Sequence, residues 1–329
     1  MQKQYLNRPY PPGHDVSSTE MENSMELNIS KHDVIKTSTT AYNLICPIGD
    51  GSSGEVWRAV DDEGVRTKAV KILKHSVDGR AIRKAGLVRD LILIFASEGE
   101  RFLCIPEAFG TLQGHDCILT ELHDMDLTML IEDDNLFPLP REHRQSIVWQ
   151  TLTGLQYLHE VGIIHGDIKP TNILVKDSTT VTVKRLQPDG NFKEGVILRS
   201  TEIKIADLDD CRLPRDKPYH QGGTTGYRAP EIIQRLNWTS KADIFSLGCT
   251  AFELYTRNRL LDSFKEPIEA YNSLPVSRDP AAEVNDKLNL VRDPLALSLI
   301  EKAITRNPKK RPTATTLLHH RFFSEFAKA

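Results

Sequence analysis

The sequence combines strand-like and helical runs, the ingredients of an α+β fold. Strand-like runs cluster early, at Leu44–Ile48, Val56–Ala59, Lys68–Leu73 and Cys117–Leu119. Helical spacing marks residues 81–95, through Ile82, Ala85, Val88, Leu91, Ile92 and Phe95, and a second apolar-faced helix ends at Leu155–His159. The length, 329 residues, sets a prior of two domains. Hydrophobic residues make up 39% and charged residues 26%, an ordinary globular balance with material for a sizeable core. A net charge of −3 gives no global pull toward nucleic acid or an anionic membrane. The five cysteines are scattered, with no C-x-x-C, so free thiols are expected rather than disulfides or zinc. Neither a signal pattern nor an 18-residue apolar run occurs, and Gln2 replaces the glycine of a myristoylation motif. An intracellular, cytoplasmic or nuclear protein without membrane attachment is expected.

Each element follows in order. Residues 1–41 are polar and aperiodic and read as a disordered tail. Ile48-Gly49-Asp50-Gly51-Ser52-Ser53-Gly54-Glu55-Val56 reads as strand, glycine turn, strand, in which backbone amides can approach phosphates. The rival for G-x-G-x-x-G is a dinucleotide-binding turn. That turn needs a helix next and an acidic residue about 20 positions on, whereas here a strand follows. Lys71 lies on the strand Lys68–Leu73, and the helix after it carries Asp90 as its acid, since no Glu occurs between Lys71 and Glu98. Cys117–Leu119 leads to Thr120-Glu121-Leu122-His123 and a short linker with Asp126.

After the helix ending at His159 comes His165-Gly166-Asp167-Ile168-Lys169-Pro170-Thr171-Asn172-Ile173-Leu174. A carboxylate, an ammonium and an amide in one tight loop suit work on phosphate oxygens and a metal ion. Two strand-like runs, 182–186 and 195–198, flank a Pro188-Asp189-Gly190 turn and predict a hairpin. Then come Ile203–Asp209, Gly223–Glu231, Asp243–Gly248 and Asn307–Pro312.

The loop around Asp167 resembles the catalytic loop of eukaryotic-type protein kinases, H-R-D-x-K-x-x-N. The other segments resemble, in family order, the kinase glycine loop with its valine, V-A-I-K, the hinge, D-F-G, G-T-x-x-Y-x-A-P-E, the aspartate of the following helix and a late arginine. The resemblance covers about residues 42–325. It implies a bilobal fold: a small, mainly β N-lobe at 42–121, a larger, mainly α C-lobe at 122–325, and a hairpin insertion at about 178–200. ATP would lie in the cleft.

The resemblance also implies roles. Asp167 would orient a substrate hydroxyl and Lys169 would neutralise developing charge. Asn172 and Asp207 would hold Mg²⁺, and Lys71 would meet the α- and β-phosphates. Gly49, Gly51 and Gly54 would line the phosphates. Ile48, Val56, Ala69, Leu122 and Leu174 would wall the adenine, Glu121 and His123 would bond its edge from the backbone, and Asp126 would take the ribose. Arg311 would pair with Glu231. Asp90 either stands in for the glutamate that holds the strand lysine or is a solvated helix residue. Asp209 replaces the D-F-G glycine, losing backbone freedom.

The implied reaction is transfer of the γ-phosphoryl group of ATP to a protein hydroxyl, with serine/threonine preference from Lys169 and Thr224. A monomer acting on a protein substrate is expected. Arg228 and Ser246–Cys249 look like the cyclin-dependent and SR-protein kinase group, although 68 positions (311 − 243) leave no room for its usual insert. Gly166 stands where the family has a phosphate-gripping arginine, and no Ser or Thr lies between Asp207 and Gly223. Activity without activation-segment phosphorylation is therefore expected. The alternative, motivated by Asp90, Gly166 and Asp209, is a kinase-fold binding module or scaffold.

Overall fold

The computed structural model describes residues 28–51, 53–74, 79–95, 97–186, 190–213, 216, 222–261 and 286–324. They fall into two compact units, one built from the chain up to Gly86 with Pro106–Leu122, the other from Leu87–Ile105 with the chain from His123 on. The predicted tail up to residue 27, and Tyr219 of the activation segment, lie outside the described residues.

The first unit is a closed antiparallel barrel of β1 (Val34–Thr37), β2 (Ala41–Asp50), β3 (Gly54–Asp61), β4 (Thr67–Leu73), β5 (Ala108–Leu112) and β6 (His115–Glu121). Between β4 and β5 runs the helix α1 (Arg80–Ile94). β1 corrects the expectation of a featureless tail to residue 41. It pairs with both β2 and β5, and so closes the barrel around Ile35, which is fully buried. Four residues with one core position are too short to show a period, so only the pairing partners reveal the strand. Alternation along the other strands sends Leu44, Trp57, Ala59, Val70, Ile72, Cys117 and Leu119 to the barrel core. Leu73, Ala85 and Ile118 form a second small cluster with Phe109.

The second unit is mainly helical. Its elements are β7 (Met125–Asp126), α2 (Leu127–Glu132), α3 (Arg141–Glu160), β8 (Ile173–Val175), β9 (Thr180–Leu186), β10 (Phe192–Leu198), β11 (Ile203–Ile205), α4 (Pro230–Ile233), α5 (Lys241–Thr256), α6 (Pro294–Ala303) and α7 (Ala314–Leu318). The boundary departs from the expected one: Leu87–Ile105 belongs to this unit, because Val88, Ile92, Phe102 and Leu103 join its core. α5 carries Ile244, Phe245, Leu247, Ala251 and Phe252 at under 2% exposure and is the helix the core wraps. Asp126 caps α2, its Oδ1 accepting from the Met129 N–H at 2.9 Å.

β9 and β10 form the predicted hairpin, in register from Thr180↔Leu198 to Leu186↔Phe192, and Pro188 and Asp189 lie outside the described residues. The hairpin is not purely superficial. Its base is core: Leu198 is 1% exposed and Val196 packs on the same cluster. No helix among the described residues is long and apolar enough to cross a membrane.

Candidate active site

In the second unit the site is built on the end of α3. After the helix stops at Glu160, Gly162 turns the chain at φ 83°, and Ile164 forms an antiparallel bridge with Arg212. The loop that follows is held by one buried carboxylate. Asp243, in the first turn of α5 and 1% exposed, accepts from the His165 N–H (2.9 Å), the Gly166 N–H (2.7 Å) and His159 Nε2 (2.8 Å). A carboxylate only accepts, so the His159 proton sits on Nε2. His165 is tied the same way: Nε2 donates to the Ala206 carbonyl at 2.8 Å and Nδ1 accepts from the Asp167 N–H at 3.2 Å. Ala206 in turn donates to the Asn172 carbonyl at 2.8 Å. The two chain segments that carry Asp167 and Asp207 are thereby pinned together.

On this frame four predicted residues converge with Thr224. Thr224 Oγ1 donates to Asp167 Oδ1 at 2.8 Å and accepts from Lys169 Nζ at 2.7 Å. Lys169 Nζ also reaches Asp167 Oδ2 at 2.7 Å. Asn172 Nδ2 donates to the Asp167 carbonyl at 2.8 Å and lies 3.4 Å from Asp207 Oδ2. The Asp167 and Lys169 side chains are about one-fifth exposed, enough for a substrate atom to reach them. Asp207 is left-handed at φ 67°, an uncommon conformation outside glycine that presents its carboxylate at the start of the tight turn Leu208–Asp210. The concern that Asp209 forfeits glycine's freedom is not met: only Asp207 in that segment has positive φ, so a glycine is not required at 209. Leu208 is buried.

Leu174 on β8 pairs with Asp126 on β7, which brings two predicted nucleotide contacts side by side. His123, partly buried, opens this unit. Asp126 serves at least as a helix cap, a role its sequence context did not reveal. The Glu231–Arg311 pair is present and two-pronged, at 2.7 and 3.0 Å, with both side chains at 3% exposure or less. The Asp90 carboxylate is 59% exposed and pairs with its neighbour Arg89 at 3.2 Å.

In the first unit the strand register lines up Gly49, Val56, Lys71 and Ile118 across β2, β3, β4 and β6. Directly paired residues share a face, so Val56, Lys71, Ala69 and Thr120 lie on the face opposite the barrel core. Ile48 sits beside the β2 irregularity between Pro47 and Gly49, and Glu121 ends β6. The three glycines are not equivalent. A Cβ on Gly54 would stand 2.4 Å from the Ile72 carbonyl, whereas one on Gly51 or Gly49 would meet nothing nearer than 3.7 Å. Gly54 is therefore required by β3–β4 packing.

Sequence reasoning passed over His159, Arg212 and Trp238. His159 stands six residues before His165 on the last helical turn, a spacing that puts it within reach of the loop (165 − 159 = 6). Trp238 carried no local signal, since its neighbours are distant in sequence.

Residues 42–323 match the family profile described as protein kinase domain. The chain belongs to the protein kinase domain family. Among curated proteins, the chain is 27% identical over 334 residues to a dual specificity protein kinase of Schizosaccharomyces pombe, covering 86% of this chain and 47% of that one. It is 29% identical to a serine/threonine-protein kinase of Arabidopsis thaliana, covering 68% and 53%, and 27% identical to a mitogen-activated protein kinase of Drosophila melanogaster, covering 92% and 83%. The chain thus spans about half the length of the first of these relatives. A solved kinase domain shares its fold at TM-score 0.71 and 21% identity, with 90% of this chain and 98% of that one covered.

Proposed function

We propose that the chain is an ATP-dependent protein serine/threonine kinase that works without phosphorylation of its activation segment. The observation that carries this reading is the closed triangle of Asp167, Lys169 and Thr224 beside Asn172 and Asp207. Asp167 receives the proton of the acceptor hydroxyl and orients it in line; Lys169 neutralises charge on the phosphoryl oxygens. Asn172 and Asp207 offer the hard oxygen donors Mg²⁺ takes, and with Nδ2 of Asn172 committed to Asp167, its Oδ1 is the atom left for the cation. Mg²⁺, when bound, neutralises phosphate charge. Lys71, the glycine turn and the face bearing Val56 and Ala69 would receive ATP; Glu121, His123, Asp126 and Leu174 would receive its base and sugar. Thr224 between Asp167 and Lys169 supports serine or threonine as acceptor. Gly166, which has no side chain to grip a phosphate, supports independence from phosphorylation.

The test is Mg²⁺-dependent transfer from labelled ATP to a peptide array by phosphatase-treated protein. Transfer to serine and threonine, lost in Asp167→Asn, is expected; tyrosine as main acceptor or no transfer refutes the reading. Asp90 favours a second reading, a kinase-fold binding module, because its carboxylate is mostly exposed and paired with Arg89. Native protein that binds ATP but transfers nothing to any acceptor would establish that reading.

A further inference from the structure

We propose that Trp238 is a positioning residue that clamps the late activation segment to the catalytic loop by packing, in the place of an arginine–phosphate pair. This rests on the phosphorylation-independent reading above and names the device behind it. Trp238 is 5% exposed. A Cβ built on Gly166 would meet its Cη2 at 3.2 Å, and a Cβ on Gly222 would meet its Cζ2 at 3.2 Å. One six-membered ring thus touches two glycines that are 56 positions apart (222 − 166). A Cβ at either position would press on the ring, which would have to give by a few tenths of an ångström. Gly166 also has φ 84°, so an arginine there would be strained as well as crowded.

The early segment is fastened to the same residue. Arg212 pairs its backbone with Ile164, at 2.7 and 3.0 Å, just before the catalytic loop. Its Nη1 donates to the Trp238 carbonyl at 2.7 Å, and its guanidinium carbon lies 5.3 Å from the indole centroid. Arg212 is therefore spent on the tryptophan, while Arg228 Nε donates to the Gly223 carbonyl at 2.7 Å. The segment backbone comes equally close: a Cβ on Gly223 would stand 2.9 Å from the Gly166 carbonyl. The next residue is Thr224, which bonds Asp167 and Lys169. Packing of the ring against Gly222 consequently sets where the Thr224 hydroxyl falls. Such a contact needs no phosphate and, unlike an ion pair, is not screened by salt.

The experiment compares phosphatase-treated native protein with Trp238→Ala and Trp238→Phe. Trp238→Ala is expected to lower kcat/KM for a peptide by at least about 30-fold, and to keep the thermal shift on adding ATP and Mg²⁺. Amide exchange at residues 222–228 should rise at least about tenfold, with exchange in α5 unchanged; Trp238→Phe should recover activity to within about fivefold of native. If Trp238→Ala does not fold, Gly222→Val decides, because it crowds the ring from the segment side; the same exchange pattern and at least a tenfold loss are expected. Native-like exchange at 222–228 in the deciding variant, or an equal rise in α5, overturns the proposal. Inactive phosphatase-treated native protein refutes the parent reading instead; active native protein with an unaffected Trp238→Ala refutes this inference alone.

Discussion

Asp243→Asn tests whether one buried carboxylate positions the catalytic loop. Oδ2 of Asp243 receives two donors, the His165 N–H and His159 Nε2, and Oδ1 receives the Gly166 N–H. Asparagine keeps one oxygen, which will stay with the two donors, and turns its NH₂ toward Gly166. A charge-assisted hydrogen bond worth about 1.5–3 kcal/mol is lost, and the Gly166 N–H then faces another donor, for about 1–3 kcal/mol more. The site is 1% exposed, so water does not relieve either term. A loss on the order of 3–5 kcal/mol lowers Tm by roughly 6–20 °C in a unit of this size. Function should fall further than stability. Gly166 immediately precedes Asp167, and a shift of about 1 Å at a reacting group costs on the order of a hundredfold in rate. The assay is kcat and KM for ATP and peptide, with Tm by calorimetry. kcat should drop about a hundredfold with KM for ATP within about threefold. A variant with the lowered Tm but native kcat would show that these bonds stabilise the unit without positioning Asp167.

Three further outcomes follow from the same structure. Gly54→Ala forces a Cβ to 2.4 Å from the Ile72 carbonyl and should destabilise the barrel by about 1–3 kcal/mol, while Gly51→Ala should be nearly neutral; urea melts of the two separate them. Replacing residues 183–195 by a two-residue turn should leave Tm and the ATP shift unchanged. Deleting 180–198 removes the buried Leu198 and should cost about 2–5 kcal/mol, read by thermal denaturation. Burial raises the Glu253 pKa above its ordinary value, even though Tyr227 donates to it at 2.5 Å. A raised carboxyl pKa contributes stability that is full below the unfolded value and is lost as pH rises through the folded one. Glu253→Gln should therefore be relatively more stable than native protein above that window, and equal Tm–pH curves would refute it.

Much of the site was legible because its chemistry is local. Asp167, Lys169 and Asn172 lie within six residues, so the chain itself brings their carboxylate, ammonium and amide close together. Asp207 and Thr224 were legible from their segments, and the structure places both at that loop. Residue identity at 209 shows only the freedom a glycine would have, whereas the backbone shows that Asp207 takes the left-handed turn. Asp126 looked like a ribose contact, but its first engagement is as the cap of α2, a competition that one side chain cannot announce in advance. β1 was missed because a four-residue strand earns its place through pairing with β2 and β5.

The sequence by itself determined the α+β order of elements, the family and which loop gathers a carboxylate, an ammonium and an amide. These depend on residue type at short spacing, where the chain's own geometry sets what can meet. Only the tertiary structure decided which partners hold those residues in place. His159 on Asp243, Leu198 in the core and Trp238 between two glycines are contacts between residues far apart in the sequence. Their strength comes from burial and close approach, and both arise only once the core has formed.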